Sequence, residues 1–80
     1  MKFGKKQYSF TRGSDVLRDG MFLEADVVDE SAKRTAAEVF YSDQTSQFFL
    51  TCFEENVPLD LIEYLIAAGR RWLPPRNTTK

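Results

Sequence analysis

Histidine is absent from this chain of 80 residues, and cysteine occurs only once, as Cys52. The absence of histidine removes both the commonest general base and the commonest metal ligand, which excludes the usual zinc sites and histidine-dependent nucleophiles. A single cysteine excludes an internal disulfide framework and favours a reducing, cytoplasmic location. We therefore expect a protein that is not an enzyme and that holds no metal or other cofactor.

Neither sign of charge dominates the chain, and long apolar runs are missing. Eleven Lys and Arg residues against twelve Asp and Glu residues give a net charge of −1, which provides no general attraction for a nucleic acid or an anionic membrane. No segment approaches the roughly 18 consecutive apolar residues of a membrane span, and the N-terminal segment lacks the apolar run of a signal peptide. We expect no membrane association, and nucleic acid is a disfavoured partner.

The few special residues that are present carry no reaction signature. Cys52 stands between Thr51 and Phe53 in an apolar segment, which predicts a small buried residue and not a reactive thiol. The four glycines lack the spacing of either common phosphate-binding loop. No nucleotide site is therefore predicted.

Segment 58–73 has the periodicity of an amphipathic helix. Its apolar side comprises Leu59, Leu61, Ile62, Leu65, Ile66, Gly69, Trp72 and Leu73. Its polar side comprises Asp60, Glu63, Tyr64, Arg70 and Arg71. Pro58 suits the first helical position because its missing N–H is not needed there, and Pro74 and Pro75 prevent the helix from continuing.

Before this helix, polar and apolar residues alternate with the period of two that is typical of strands. The four predicted strands cover residues 7–12, 21–29, 34–42 and 47–54. Polar turns at 30–33 and 43–46 are so short that they allow only antiparallel pairing. The sequence therefore predicts an α+β fold, an antiparallel four-stranded meander with one C-terminal amphipathic helix packed on one face. The meander has three strands if the first strand is poor.

One small domain accounts for residues 1–80. It comprises a basic N-terminal arm at 1–6, a ββββα core at 7–73 and a flexible tail at 74–80. Within the core, segment 14–20 fits either a helical turn from Ser14 to a left-handed Gly20 or a tight hairpin at Asp19-Gly20. We favour the helical turn.

Acidic residues decide which face of the sheet meets the helix, because burying an unpaired carboxylate costs on the order of several kcal/mol. Glu24, Asp26 and Glu38 must therefore point away from the helix. The side chains expected to face it are Leu23, Ala25, Val27, Ala37, Val39 and Tyr41, together with Phe48, Leu50 and Cys52. For the last strand the opposite set, Phe49, Thr51 and Phe53, is equally apolar.

This orientation places aromatic rings on the face that the helix leaves bare. They are Phe22, Phe40, Phe49 and Phe53. Cross-strand pairing could hide them within the chain, but a monomer rarely exposes so large an apolar patch. We favour a binding surface for another protein or for a second copy, as in a homodimer, with Glu24 and Glu38 as charges at its rim.

The alternative is a small-ligand or nucleic-acid binder that uses the basic arm and the polar loop 12–20. Its candidate residues are Arg12, Asp15, Arg18 and Asp19. Polar loops on a rigid scaffold often carry ligand contacts, although simple pairing between these arginines and aspartates explains the same residues. The carboxylates among the aromatic rings would repel phosphate, which weighs against nucleic acid.

Overall fold

The computed structural model describes residues 1–29 and 34–74, which form an antiparallel sheet and one helix. The strands are β1 (Lys2–Phe3), β2 (Lys6–Asp15), β3 (Gly20–Val27), β4 (Arg34–Ser42) and β5 (Phe48–Cys52), and the helix is α1 (Leu59–Trp72). Strand order follows chain order, β1-β2-β3-β4-β5, as in a meander. The predicted α+β class is therefore confirmed, with one more strand than expected. The predicted turn at 30–33 and residues 75–80 of the predicted tail lie outside the described residues.

The additional strand comes from the N-terminal segment that the sequence analysis assigned to a basic arm. Residues Lys2 and Phe3 pair with Gln7 and Lys6 of β2. Two hydrogen bonds join Met1 to Tyr8, one in each direction, at 2.7 and 2.9 Å. The segment therefore adds a short edge to the sheet. The strand predicted at 7–12 is also longer than expected, since β2 runs from Lys6 to Asp15.

The favoured helical turn at 14–20 is wrong, because β2 and β3 form a hairpin that closes at the pair Asp15 and Gly20. The alternative hairpin is correct in kind, but its loop covers residues 16–19. Asp15, not Ser14, caps the turn, and its carboxylate accepts hydrogen bonds from the N–H groups of Leu17 and Arg18 at 3.1 Å. The left-handed residue is Asp19 (φ 57°), a residue type that tolerates this conformation.

The helix packs on β4 and β3, where the core lies between the two layers. Its buried residues are Leu61, Leu65, Ala68 and Gly69. This stripe is narrower than the predicted apolar side, since Leu59 and Trp72 are exposed. Tyr64, which was placed on the polar side, instead packs against Phe10, with ring centroids 5.0 Å apart.

The predicted orientation of the sheet is confirmed for the central strands. The core that faces the helix contains Tyr8, Leu23, Ala25, Val27, Ala37 and Val39. Asp26 lies on the other face as predicted, yet it is fully buried there. Its carboxylate accepts hydrogen bonds from the hydroxyls of Thr11 at 3.1 Å and Thr35 at 2.8 Å, which compensate the loss of hydration.

The helix is neither long nor apolar enough to cross a membrane, and no other helix occurs among residues 1–29 and 34–74.

Candidate protein interface

The last strand, β5, is exposed on both of its faces, unlike the central strands. On the face away from the helix, Phe49 is 48% exposed, and Phe53, directly after the strand, is 58% exposed. On the helix side, Leu50 and Cys52 are also exposed, because α1 packs mainly over β4 and β3. The prediction that Cys52 is buried is therefore wrong, and the chain leaves a largely apolar strand in contact with solvent.

The other two predicted interface rings are packed within the chain. Gly13 opposes Phe22 on the neighbouring strand, and a Cβ at Gly13 would lie only 2.9 Å from the tip of that ring. A Cβ at Gly20 would lie 2.5 Å from the Phe40 ring, which is 8% exposed. Glycine thus provides room for both rings. Phe40 is buried and Phe22 is partly buried, so of the four predicted interface rings only Phe49 and Phe53 are exposed.

The side chain of Arg18 lies over Phe40, on the face of the sheet away from the helix. Its guanidinium donates two hydrogen bonds to the carboxylate of Glu38, at 3.0 and 2.7 Å, and its Nε donates to Asp15. The same group lies 4.1 Å from the centre of the Phe40 ring, at the distance of a cation–π contact. Glu38 is therefore buried beneath Arg18 and differs from the exposed rim charge that was predicted, whereas Glu24, directly opposite on β3, is partly buried.

These contacts change the acid–base behaviour of the loop. Hydrogen bonding to Arg18 lowers the pKa of Asp15 below its usual range. The pKa of Arg18 is raised, first by its hydrogen bonds to Glu38 and then by those to Asp15. The ion pair between Asp15 and Arg18 therefore helps to hold the loop at neutral pH.

The predicted ligand loop 12–20 does not gather its four candidate residues into one site. Arg18 and Asp15 bind each other, as the simpler explanation expected. Arg12 lies opposite Leu23 on the helix side of the sheet, near Phe10. The carbonyl of Asp19 accepts a hydrogen bond from the N–H of Asp43. A ligand role for this loop stays a prediction without further support from the geometry.

The outer edge of β5 presents backbone hydrogen-bonding groups. Ser42 donates to the carbonyl of Gln47 at 3.0 Å, and Phe53 donates to the carbonyl of Ala36 at 2.8 Å. In an antiparallel ladder, residues that bond to the neighbouring strand alternate with residues whose N–H and C=O point the other way. The register therefore directs those groups of Phe48, Leu50 and Cys52 to the outer edge, where no strand of the described chain pairs with them.

An open groove of about 160 Å³ lies beside this edge, between β5 and the C-terminal half of the helix. Its lining residues are Val39, Phe48, Phe49, Leu50, Ile66 and Arg70. The guanidinium of Arg70 lies 5.2 Å from the centre of the Phe48 ring. The groove is therefore mostly apolar and has one cationic end.

The described residues contain no cluster of three or more acidic or cysteine side chains that could hold a metal ion. Comparisons with protein-family models, with curated proteins and with solved structures found no match to this chain.

The sequence analysis missed the outer edge of β5 and its groove. A usable signal was present, since segment 47–53 contains no charge, no proline and no glycine. Edge strands usually contain charged residues or proline, because these residues discourage pairing with other chains. A meander also makes its last strand an edge, so this signal could have been combined with the topology.

Proposed function

We propose that this chain is a small, non-enzymatic interaction module that associates with a second copy of itself through β5. One observation carries the proposal: β5 exposes apolar side chains on both faces and backbone donors and acceptors along its outer edge. An exposed apolar edge strand is a template for pairing with another strand. Two copies of such a strand can pair antiparallel about a two-fold axis, which is the commonest symmetry of soluble oligomers.

The opposite edge of the sheet supports this choice of surface. At that edge β1 has only two residues and pairs with the start of β2, so the edge also includes β2 from Ser9 to Asp15. Lys2, Lys5 and Lys6 surround β1, and the charged residues Arg12 and Asp15 lie along β2. Short length and lysine are the usual means by which proteins keep an edge from pairing. Strand β5 has neither form of protection.

The proposal predicts that aspartate at the two exposed rings strongly weakens association. Both rings are already about half buried, so burying the rest of each contributes roughly 1 kcal/mol, and the two copies together bury four such rings. Phe49→Asp with Phe53→Asp should therefore weaken the dimer by about 100-fold or more. Light scattering coupled to size-exclusion chromatography, over a range of concentrations, measures the change. Circular dichroism should show that the variant remains folded, because both rings are half exposed in the single chain.

A matched control is available at the tip of the β2–β3 hairpin. Val16 is 89% exposed and Leu17 is 97% exposed, and both lie in the loop between β2 and β3, which β4 separates from β5 in the sheet. The double variant Val16→Asp with Leu17→Asp adds the same charge and removes two exposed apolar side chains. It should associate like the wild type. A wild type that remains monomeric at millimolar concentration would refute the proposal.

A further inference from the structure

The free groups of β5 define how a second copy would pair with it. Building on the proposed self-association, we infer that β5 pairs antiparallel with β5 of a second copy, with the two Leu50 residues opposite each other. The two sheets then form one continuous sheet across the interface. This arrangement follows from the register of β5, from the charges at its two ends and from the groove beside it.

The register is determined by which residues face outward. Only outward-facing residues can exchange hydrogen bonds with a new strand, and these are Phe48, Leu50 and Cys52. With Leu50 at the centre, Phe48 opposes Cys52 of the second copy, so every outward group has a partner. A register centred on Phe49 would place Cys52 opposite Ser46, whose φ of 59° lies outside the extended region. The Leu50 register therefore gives hydrogen-bond partners to the outward-facing backbone groups most completely.

Charges at the two ends of β5 favour the antiparallel direction. Arg70 contacts Phe48 at the beginning of the strand, and Glu55 is exposed just beyond its end. Glu54 already pairs with Arg34 of the same chain. Antiparallel pairing brings Arg70 toward Glu55 of the second copy, whereas parallel pairing would bring the two Arg70 side chains together.

Side chains on both faces are compatible with this pairing. On the helix side, the two Leu50 side chains meet beside the apolar groove. On the other face, Phe49 lies opposite Thr51 of the second copy, and Phe53 lies opposite Gln47. Aromatic and β-branched residues form favourable cross-strand pairs, so the first of these contacts contributes to stability.

Disulfide trapping tests the register. In the inferred dimer the two Leu50 Cα atoms are about 5.5 Å apart, within reach of a disulfide. The two Cys52 residues are offset by four positions, or about 13 Å along the strands, which is too far. Leu50→Cys with Cys52→Ser should therefore form a covalent dimer under copper–phenanthroline oxidation, and the wild type should not.

A second cysteine variant retains Leu50, and so controls for the case in which replacing Leu50 itself prevents pairing. Phe48→Cys, with Cys52 retained, places each new thiol opposite Cys52 of the other copy and should also trap the dimer. Within one chain these two positions are too far apart to react. The register is wrong if the wild type is trapped as readily as the variants. It is also wrong if light scattering shows dimers of both variants but neither variant can be trapped.

Charge reversal tests the direction independently of oxidation. Arg70→Glu alone and Glu55→Arg alone should each weaken association about two- to fivefold, the size expected of an exposed ion pair. The combined variant should regain wild-type affinity. If the combined variant is weaker than either single variant, the inferred direction is wrong. A wild type that never associates would instead refute the proposed function, so the two failures are distinguishable.

Discussion

Arg18 joins the hairpin loop to the open face of the sheet. Its guanidinium bonds to Glu38 and Asp15 and covers the ring of Phe40. Glu38 stands directly opposite Glu24 on the next strand, where two like charges would repel each other. The arginine offsets this repulsion and allows the carboxylate of Glu38 to be buried.

The lowered pKa of Asp15 makes part of the stability dependent on pH. A carboxylate whose pKa is lower in the folded chain stabilises the fold above its unfolded pKa, and this contribution disappears as pH falls through the folded value. Asp15→Asn keeps the oxygen that accepts the loop N–H groups but loses the charge that binds Arg18. We expect this variant to have a lower free energy of unfolding at pH 7.

Urea denaturation at several pH values checks this expectation. The difference between Asp15→Asn and the wild type should shrink as the pH falls below about 3.8, the ordinary pKa of aspartate. Asp43→Asn, at an exposed aspartate in the loop between β4 and β5, is the control. A difference between Asp15→Asn and the wild type that stays constant down to pH 2 would show that the ion pair with Arg18 contributes no stability.

Helix α1 lies close to β4 at Gly69. A Cβ at Gly69 would lie 2.8 Å from Cγ1 of Val39, inside normal contact distance. Val39 is buried and β-branched, so its side chain has little freedom to move. The absence of a side chain at Gly69 therefore sets the distance between the two layers.

Gly69→Ala should destabilise the fold despite the better helix propensity of alanine. The propensity gain is about 1 kcal/mol, whereas overpacking a core costs roughly 1–3 kcal/mol, so we expect a net loss of about 0–2 kcal/mol. Val39→Ala removes the clashing methyl groups, and the double variant should be more stable than the sum of the single effects predicts. Additive effects in thermal or urea unfolding would contradict the proposed contact.

Among the secondary-structure elements, those that depend on local sequence patterns were predicted from the sequence. The alternation of residues 34–42 predicted β4 with its observed bounds, and the carboxylates predicted the face turned toward the helix. The hairpin between β2 and β3 was only the less favoured alternative, and its loop at 16–19 was not predicted, because its geometry depends on pairing between β2 and β3. Burial of Phe40 also could not be predicted, since it depends on Arg18 and Gly20, which the fold brings to it from elsewhere in the chain.

The whole molecule has two unlike edges. One edge consists of the short, lysine-flanked β1 and the part of β2 beyond it, which carries Arg12 and Asp15, whereas β5 is apolar and bordered by a groove. If β5 pairs with a second copy, only one edge of each chain is consumed and the assembly closes at two chains. The lysines at β1 would then oppose growth of longer assemblies.

This assembly predicts that the unfolding temperature depends on protein concentration. Association of folded chains stabilises the folded state by mass action, so a tenfold increase in concentration should raise the wild-type midpoint by about 3–6 °C. The variant Phe49→Asp with Phe53→Asp should show no such increase. Differential scanning calorimetry at several concentrations measures both, and a wild-type midpoint independent of concentration would argue against the dimer.

The tip of the β2–β3 hairpin combines a hydrogen-bonded backbone with exposed apolar side chains. Charged side chains hold its backbone, while Val16 and Leu17 extend almost entirely into water. Replacing these two residues with others should therefore leave folding unaffected. Any altered behaviour after such an exchange would report an encounter with another molecule, which makes this tip a natural place to attach a probe.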